Sequence, residues 1–292
     1  MGSGSWSSDK FASYTRATKI GATIDSSGAM RTSMSNQEMF KSRSVDPLLN
    51  PKNVVRECID SDEHPNTIPV ILALDVTGSM GEAAVEVAKQ LNVIMTKLYE
   101  DVKDIEFMVM GIGDLAYDNG PIQTSQFESD IRIAEQLDKI WFEFGGGGNQ
   151  YESYTAAWYF GLHHTKLDCW NRGKKGIIIT MGDELPNPYL PASPLGAVLG
   201  DVVQGDVTTL DLYDEVKEKF DVYHIDVNHN GRYNEKMIFD NWHDLLGDNF
   251  VKSNLNSISD DIVSVIRKSC DNNITGPVLN MGSANSSEGI SW

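Results

Sequence analysis

Ile71-Leu72-Ala73-Leu74-Asp75-Val76-Thr77-Gly78-Ser79-Met80 joins two readable patterns. The almost continuous apolar run from Ile68 to Leu74 reads as a central parallel strand buried on both faces. From Met80 to Glu100 the apolar residues Val87, Leu91, Ile94 and Leu98 step by 4, 3 and 4, which is one face of a helix. Between strand and helix lie one carboxylate and two hydroxyls at alternate positions, Asp75, Thr77 and Ser79.

Outward from this stretch the alternation continues. Glu106 to Ile112 reads as a second apolar strand, Pro121 to Phe127 as an edge strand, Asp130 to Leu137 as a helix and Ile140 to Phe144 as a further strand. Gly145 to Gly148 form a flexible turn, followed by an aromatic-rich helix from Tyr151 to His164. Gly176 to Thr180 and Val222 to Val227 read as strands, and Leu210 to Lys219 and Ile258 to Lys268 as helices. The pattern predicts an α/β, doubly wound, Rossmann-like and mostly parallel sheet with helices on both faces. This domain is expected over residues 67–270. Before it, residues 1–66 form a Ser-rich, partly extended arm with little periodicity that either wraps the domain or awaits a partner; after it, residues 271–292 form a tail.

Ligands of such sheets sit beyond the carboxyl ends of the strands. There the sequence places Asp75, Thr77 and Ser79, then Asp114, then Asn149, Glu152 and Ser153 after the glycines, and Asp183 with Glu184. Every one offers oxygen, which suits Mg²⁺, Mn²⁺ or Ca²⁺, and no His or Cys joins them to suggest zinc. Asp226 to Gly231 matches the first half of a Ca²⁺ loop but has Met237 where the bidentate Glu belongs, so it reads as a plain turn. His163 and His164 lack metal-protease spacing and read as surface or packing residues.

The strand and the Asp75-x-Thr77-x-Ser79 motif resemble the von Willebrand factor A family, over roughly residues 68 to 268. The resemblance implies a metal-ion-dependent adhesion site in which Asp75, Thr77 and Ser79 form the first loop and Asp183 is the aspartate of the third. The second loop departs from the family pattern. Counting back from the helix favours Ser153, counting forward from the glycines favours Asn149, and Glu152 is close by. Ser153 is taken as the ligand, with Asn149, Glu152 and Asp114 as weaker candidates. The resemblance, to cytoplasmic and phage-borne bacterial members, implies a protein-binding module. An acidic residue of the partner would complete the metal shell, and an AAA+ ATPase or a larger assembly would be the setting. Two other functions are weighed: a metal-assisted hydrolase using the same oxygens, and a structural component of a phage-derived particle.

Acids outnumber bases by 42 to 24, a net charge of -18, which opposes binding to nucleic acid or anionic membrane. Three scattered cysteines, Cys58, Cys169 and Cys270, suggest neither a disulfide scaffold nor a zinc ribbon. With no secretory leader and no apolar run near the ~20 residues needed to span a bilayer, a soluble cytoplasmic protein is expected.

Overall fold

The computed structural model describes residues 4–144, 150–227 and 234–275. In chain order its helices and main-sheet strands are α1 (Ser8–Thr18), α2 (Asn36–Met39), β1 (Ile68–Asp75), α3 (Gly81–Asp101), β2 (Ile105–Ile112), β3 (Ile122–Thr124) and α4 (Arg132–Leu137). There follow α5 (Ala156–His163), β4 (Gly176–Gly182), α6 (Ala192–Leu199), α7 (Thr209–Val216), β5 (Phe220–Val227), α8 (Glu235–Leu246), β6 (Phe250–Ser253) and α9 (Ile258–Thr275). The sheet runs β6-β5-β4-β1-β2-β3. All neighbours pair in parallel except the edge strand β3, which is antiparallel to β2.

The period of two along β1 divides the core. Val70, Leu72 and Leu74 pack with Val87, Leu91, Ile94 and Leu98 of α3 and with Ile262 and Ile266 of α9. Ile71 and Ala73 point the other way, into a cluster with Trp158 and Phe160 of α5, Leu212 of α7 and Trp242 of α8. The sheet is therefore covered on both faces, as its continuous apolar strands require. Among the described residues, no helix is long and apolar enough to cross a membrane.

Of the two alternatives for the arm, packing against the domain is the one seen: Ser7 caps α1 by accepting from the Lys10 amide. Phe11, Met30, Met39 and Phe40 are buried in the same cluster as α3, and Trp6 Nε1 donates to Asn92 Oδ1 of that helix at 2.9 Å. The arm lies against the domain and adds to its core. One expectation is corrected: Ile140 to Phe144 joins no sheet. Ile140 and Phe142 are buried, but the backbone of Trp141 is satisfied by one side chain: its N–H donates to Gln123 Oε1 and its C=O accepts from Gln123 Nε2, both at 2.9 Å. An alternating apolar pattern serves equally well for a loop packed across a core when a buried amide replaces the ladder. Gln123→Leu is expected to strip both partners and cost about 2 kcal/mol, read as a lower urea midpoint at unchanged m-value; an unchanged midpoint would refute that role.

The aromatic helix is also shorter than expected at its start. Tyr151 and Glu152 are extended and pair in parallel with Leu185 and Pro186, and helical structure begins only at Ala156.

Candidate metal centre

Asp75 is the last residue of β1 and is fully buried. Its Oδ1 accepts from the Thr77 amide at 2.8 Å and from Thr77 Oγ1 at 2.5 Å. Its Oδ2 accepts from the Tyr154 hydroxyl at 2.8 Å. Ser79, one turn later, donates from Oγ to Asp183 Oδ1 at 3.0 Å. Asp183 follows β4 directly and is 1% exposed. The parallel pairing of β1 with β4 sets both loops at one edge, so residues 104 apart in sequence meet there.

The second loop reaches the same edge. Ser153 is buried, and its Oγ accepts from the Leu115 amide at 3.0 Å, tying it to the connection after β2. Asp114 in that connection holds its own turn, with Oδ1 accepting from the Ala116 amide at 2.7 Å. Asp118 Oδ2 accepts from the Asp114 amide at 2.7 Å. Glu152 is 7% exposed, and its Oε2 has no hydrogen-bond partner among the described residues. Asn149 and the glycines before it lie outside the described residues, as does 228–233, most of the discounted Ca²⁺ loop. His163 is exposed. His164 packs inward, with Nε2 2.8 Å from Asp201 and Nδ1 3.0 Å from the Val54 carbonyl oxygen.

Sequence reasoning passed over Tyr154. Its buried hydroxyl donates to Asp75 and accepts from the amides of Asp183 at 3.2 Å and Glu184 at 3.3 Å. Its ring lies edge-on to His224 at 5.0 Å, and His224 stacks on Trp242 at 3.7 Å. Trp242 Nε1 donates in turn to the Glu184 carbonyl oxygen at 3.0 Å. Gly182 is required here because a Cβ would collide with the Tyr154 hydroxyl. A tyrosine next to a candidate ligand and just ahead of a helix was the available signal, but nothing local says that it reaches back to β1.

The electrostatics follow from crowding acids in a dry site. Burial pushes the Asp75 carboxyl up from 3.8 to about 7; the Asp183 charge adds to the rise and the Thr77 hydrogen bonds oppose it. Burial, then the charges of Asp75, Asp118, Asp114 and Glu184, push Glu152 up to about 10. An acid raised on folding contributes its full share of stability below its unfolded pKa and loses it as pH rises through its folded one. Without metal, the melting temperature should fall as pH rises from about 4 through 7, and onward as Glu152 ionises. Glu152→Gln should flatten the upper part of that slope in thermal scans; an identical slope would reject the assignment.

Among the described residues no three His, Cys, Asp or Glu side chains meet closely enough to hold an ion by themselves. Beside the carboxylates of this edge stand the hydroxyls of Thr77, Ser79 and Ser153. A mixed set of carboxylate and hydroxyl oxygens, with an unpartnered buried carboxylate oxygen beside it, is chemically suited to a hard divalent cation.

No family model matches the chain, and no curated protein matches it in sequence. Among solved structures it is similar to the pilus adhesin SpaC from Lactobacillus rhamnosus GG in its open conformation, with TM-score 0.48 and 12% identity over 75% of this chain and 31% of that one. It is also similar to the vWF domain of the type V pili tip protein Mfa5 from Porphyromonas gingivalis, with TM-score 0.46 and 10% identity over 69% of this chain and 95% of that one. A third is proximal thread matrix protein 1 from the mussel byssus with a zinc-occupied MIDAS motif, with TM-score 0.44 and 14% identity over 70% of this chain and 48% of that one. The chain thus spans about a third of the SpaC chain.

Proposed function

We propose that this protein is a divalent-metal-dependent protein-binding module. Asp75, Thr77, Ser79, Ser153 and Asp183 form its metal site, and Glu152 and Asp114 stand beside it. The observation that carries this reading is the hydrogen bond of 3.0 Å between Ser79 and Asp183, which brings the first and third loops together next to buried Asp75. Mg²⁺ suits these oxygens, and Mn²⁺ or Ca²⁺ would also satisfy them. When bound, the ion supplies an electrophilic position for an oxygen of the partner. Thr77 and Tyr154 hold the Asp75 carboxylate in place, and the buried loops keep bulk water from its rear. The resemblance to the von Willebrand factor A family favours a binding role in the cytoplasm, alongside an AAA+ ATPase or within a larger assembly.

The test is affinity capture on the immobilised full chain, with Mg²⁺ or with EDTA. Partner retention only in Mg²⁺, and its loss in Ser79→Ala, is the expected result. Capture that survives both EDTA and the substitution would sink the proposal.

A further inference from the structure

At the end of the sheet away from the metal loops, the parallel strands begin. Ile68 opens β1, Asp104 precedes β2 and Lys175 precedes β4. Between these strand starts and Cys270 on α9 lies a cavity of about 330 Å³ that opens to solvent. All the residues that line it are among the described ones. Its wall is mostly apolar and includes Ile68, Val102, Cys169 and Cys270. Cys169 and Cys270 are buried, at 1% and 7% exposure. Helices cover the two faces of the sheet but not the starts of its strands, so this hollow stays open to a small molecule. Its size and lining are those of a small-molecule site.

The second observation is charge. Four of the chain's 24 Lys and Arg residues line this one cavity: Lys103, Arg172, Lys174 and Lys175. Two acids line it as well, and each is met by a base from outside the cavity: Asp101 by Arg267 at 2.6 Å and Asp104 by His64 at 3.5 Å. Arg172 is held by Asp60 and by the Thr67 carbonyl oxygen, which fixes one wall. Lys103 is exposed, and its ammonium group neither hydrogen-bonds nor ion-pairs with any described residue. A chain with a net charge of -18 thus gathers cationic residues around an apolar hollow. Such a wall favours an anion over a cation.

We infer that this cavity binds a small amphipathic carboxylate, with its apolar body against Val102, Cys169 and Cys270 and its carboxylate toward Lys103. Burial of the apolar body supplies most of the affinity. Lys103 adds orientation and a preference for an anion, since an exposed ion pair contributes little by itself. Lys174 and Lys175 add to the local field rather than a direct contact. The inference goes beyond the metal-dependent reading and does not rest on it: the cavity lies at the opposite end of the strands and shares no residue with the metal loops.

Isothermal titration of the full chain in EDTA tests this with decanoate, decan-1-ol, decyltrimethylammonium and acetate. Decanoate should bind saturably at one site with a Kd of about 0.1 mM or tighter. The alcohol and the ammonium compound should bind at least about fivefold more weakly, and acetate, which lacks the apolar body, should give no saturable heat. Lys103→Glu should weaken decanoate about fivefold or more and leave the alcohol unchanged. Cys270→Phe puts a ring into the hollow and should abolish decanoate binding while thermal unfolding stays cooperative. If Cys270→Phe fails to fold, the paired titrations of Lys103→Glu, an exposed site, still decide. The inference is overturned if decanoate gives no saturable binding, if the alcohol or the ammonium compound binds as tightly as decanoate, or if decanoate affinity is unchanged in Lys103→Glu or in folded Cys270→Phe.

Discussion

Asp183→Ala is expected to weaken Mn²⁺ binding by at least about 100-fold while leaving the protein folded. Asp183 is the carboxylate of the third loop and the acceptor of the Ser79 hydroxyl. Its loss removes a charge and a ligating oxygen from the proposed set. The fold should survive because the Asp183 charge is one of the influences raising the neighbouring Asp75 carboxyl, so its removal relieves repulsion. In the absence of metal the variant should melt no lower than the parent. Paramagnetic titration and metal-free thermal unfolding are the two measurements. Mn²⁺ affinity within about tenfold of the parent's would exclude Asp183 from the site. Asp75→Ala is a less clean test, since it would also leave the Thr77 and Tyr154 hydroxyls without their acceptor.

Tyr154→Phe is expected to be the most destabilising conservative change at this edge. The ring and its contacts with His224 and Trp242 remain, so only the hydroxyl is lost. That one atom satisfies Asp75 Oδ2 and the amides of Asp183 and Glu184. Stranding buried polar groups costs about 1–3 kcal/mol each, so a total of about 3 kcal/mol or more is expected. For a chain of this size that is a fall of about 5 °C or more in melting temperature. Because Tyr154 positions two of the proposed ligands, Mn²⁺ affinity should also drop about tenfold. A melting temperature equal to the parent's would show that the hydroxyl does not hold the loops together. Gly182→Ala should give a similar phenotype by pushing the same hydroxyl away.

The absent strand and the weak pattern of the arm both have physical causes. Ile140, Phe142 and Phe144 alternate as a strand would, but periodicity reports which side chains face a core and not what satisfies the backbone between them. Here Gln123 does so, from β3. The arm reads as polar because α1 buries only Phe11 and Thr15. A helix that lends so few side chains to a core made by others leaves little pattern to detect.

Sheet class and first loop were legible from sequence alone. A parallel strand covered on both faces must be apolar throughout, so Ile68 to Leu74, Glu106 to Ile112 and Gly176 to Thr180 declare themselves, and Asp75, Thr77 and Ser79 follow the first within five residues. The convergence of Ser79 with Asp183, the burial that raises Glu152, and Tyr154 as the hinge-pin of three backbone and carboxylate groups were decided only by tertiary structure. Those contacts join residues 29 to 104 positions apart. Local sequence encodes the period of an element and the turn that ends it. Hydrogen-bond partners, and the loss of water that shifts a carboxyl's charge, are set by whichever distant segment the fold brings alongside.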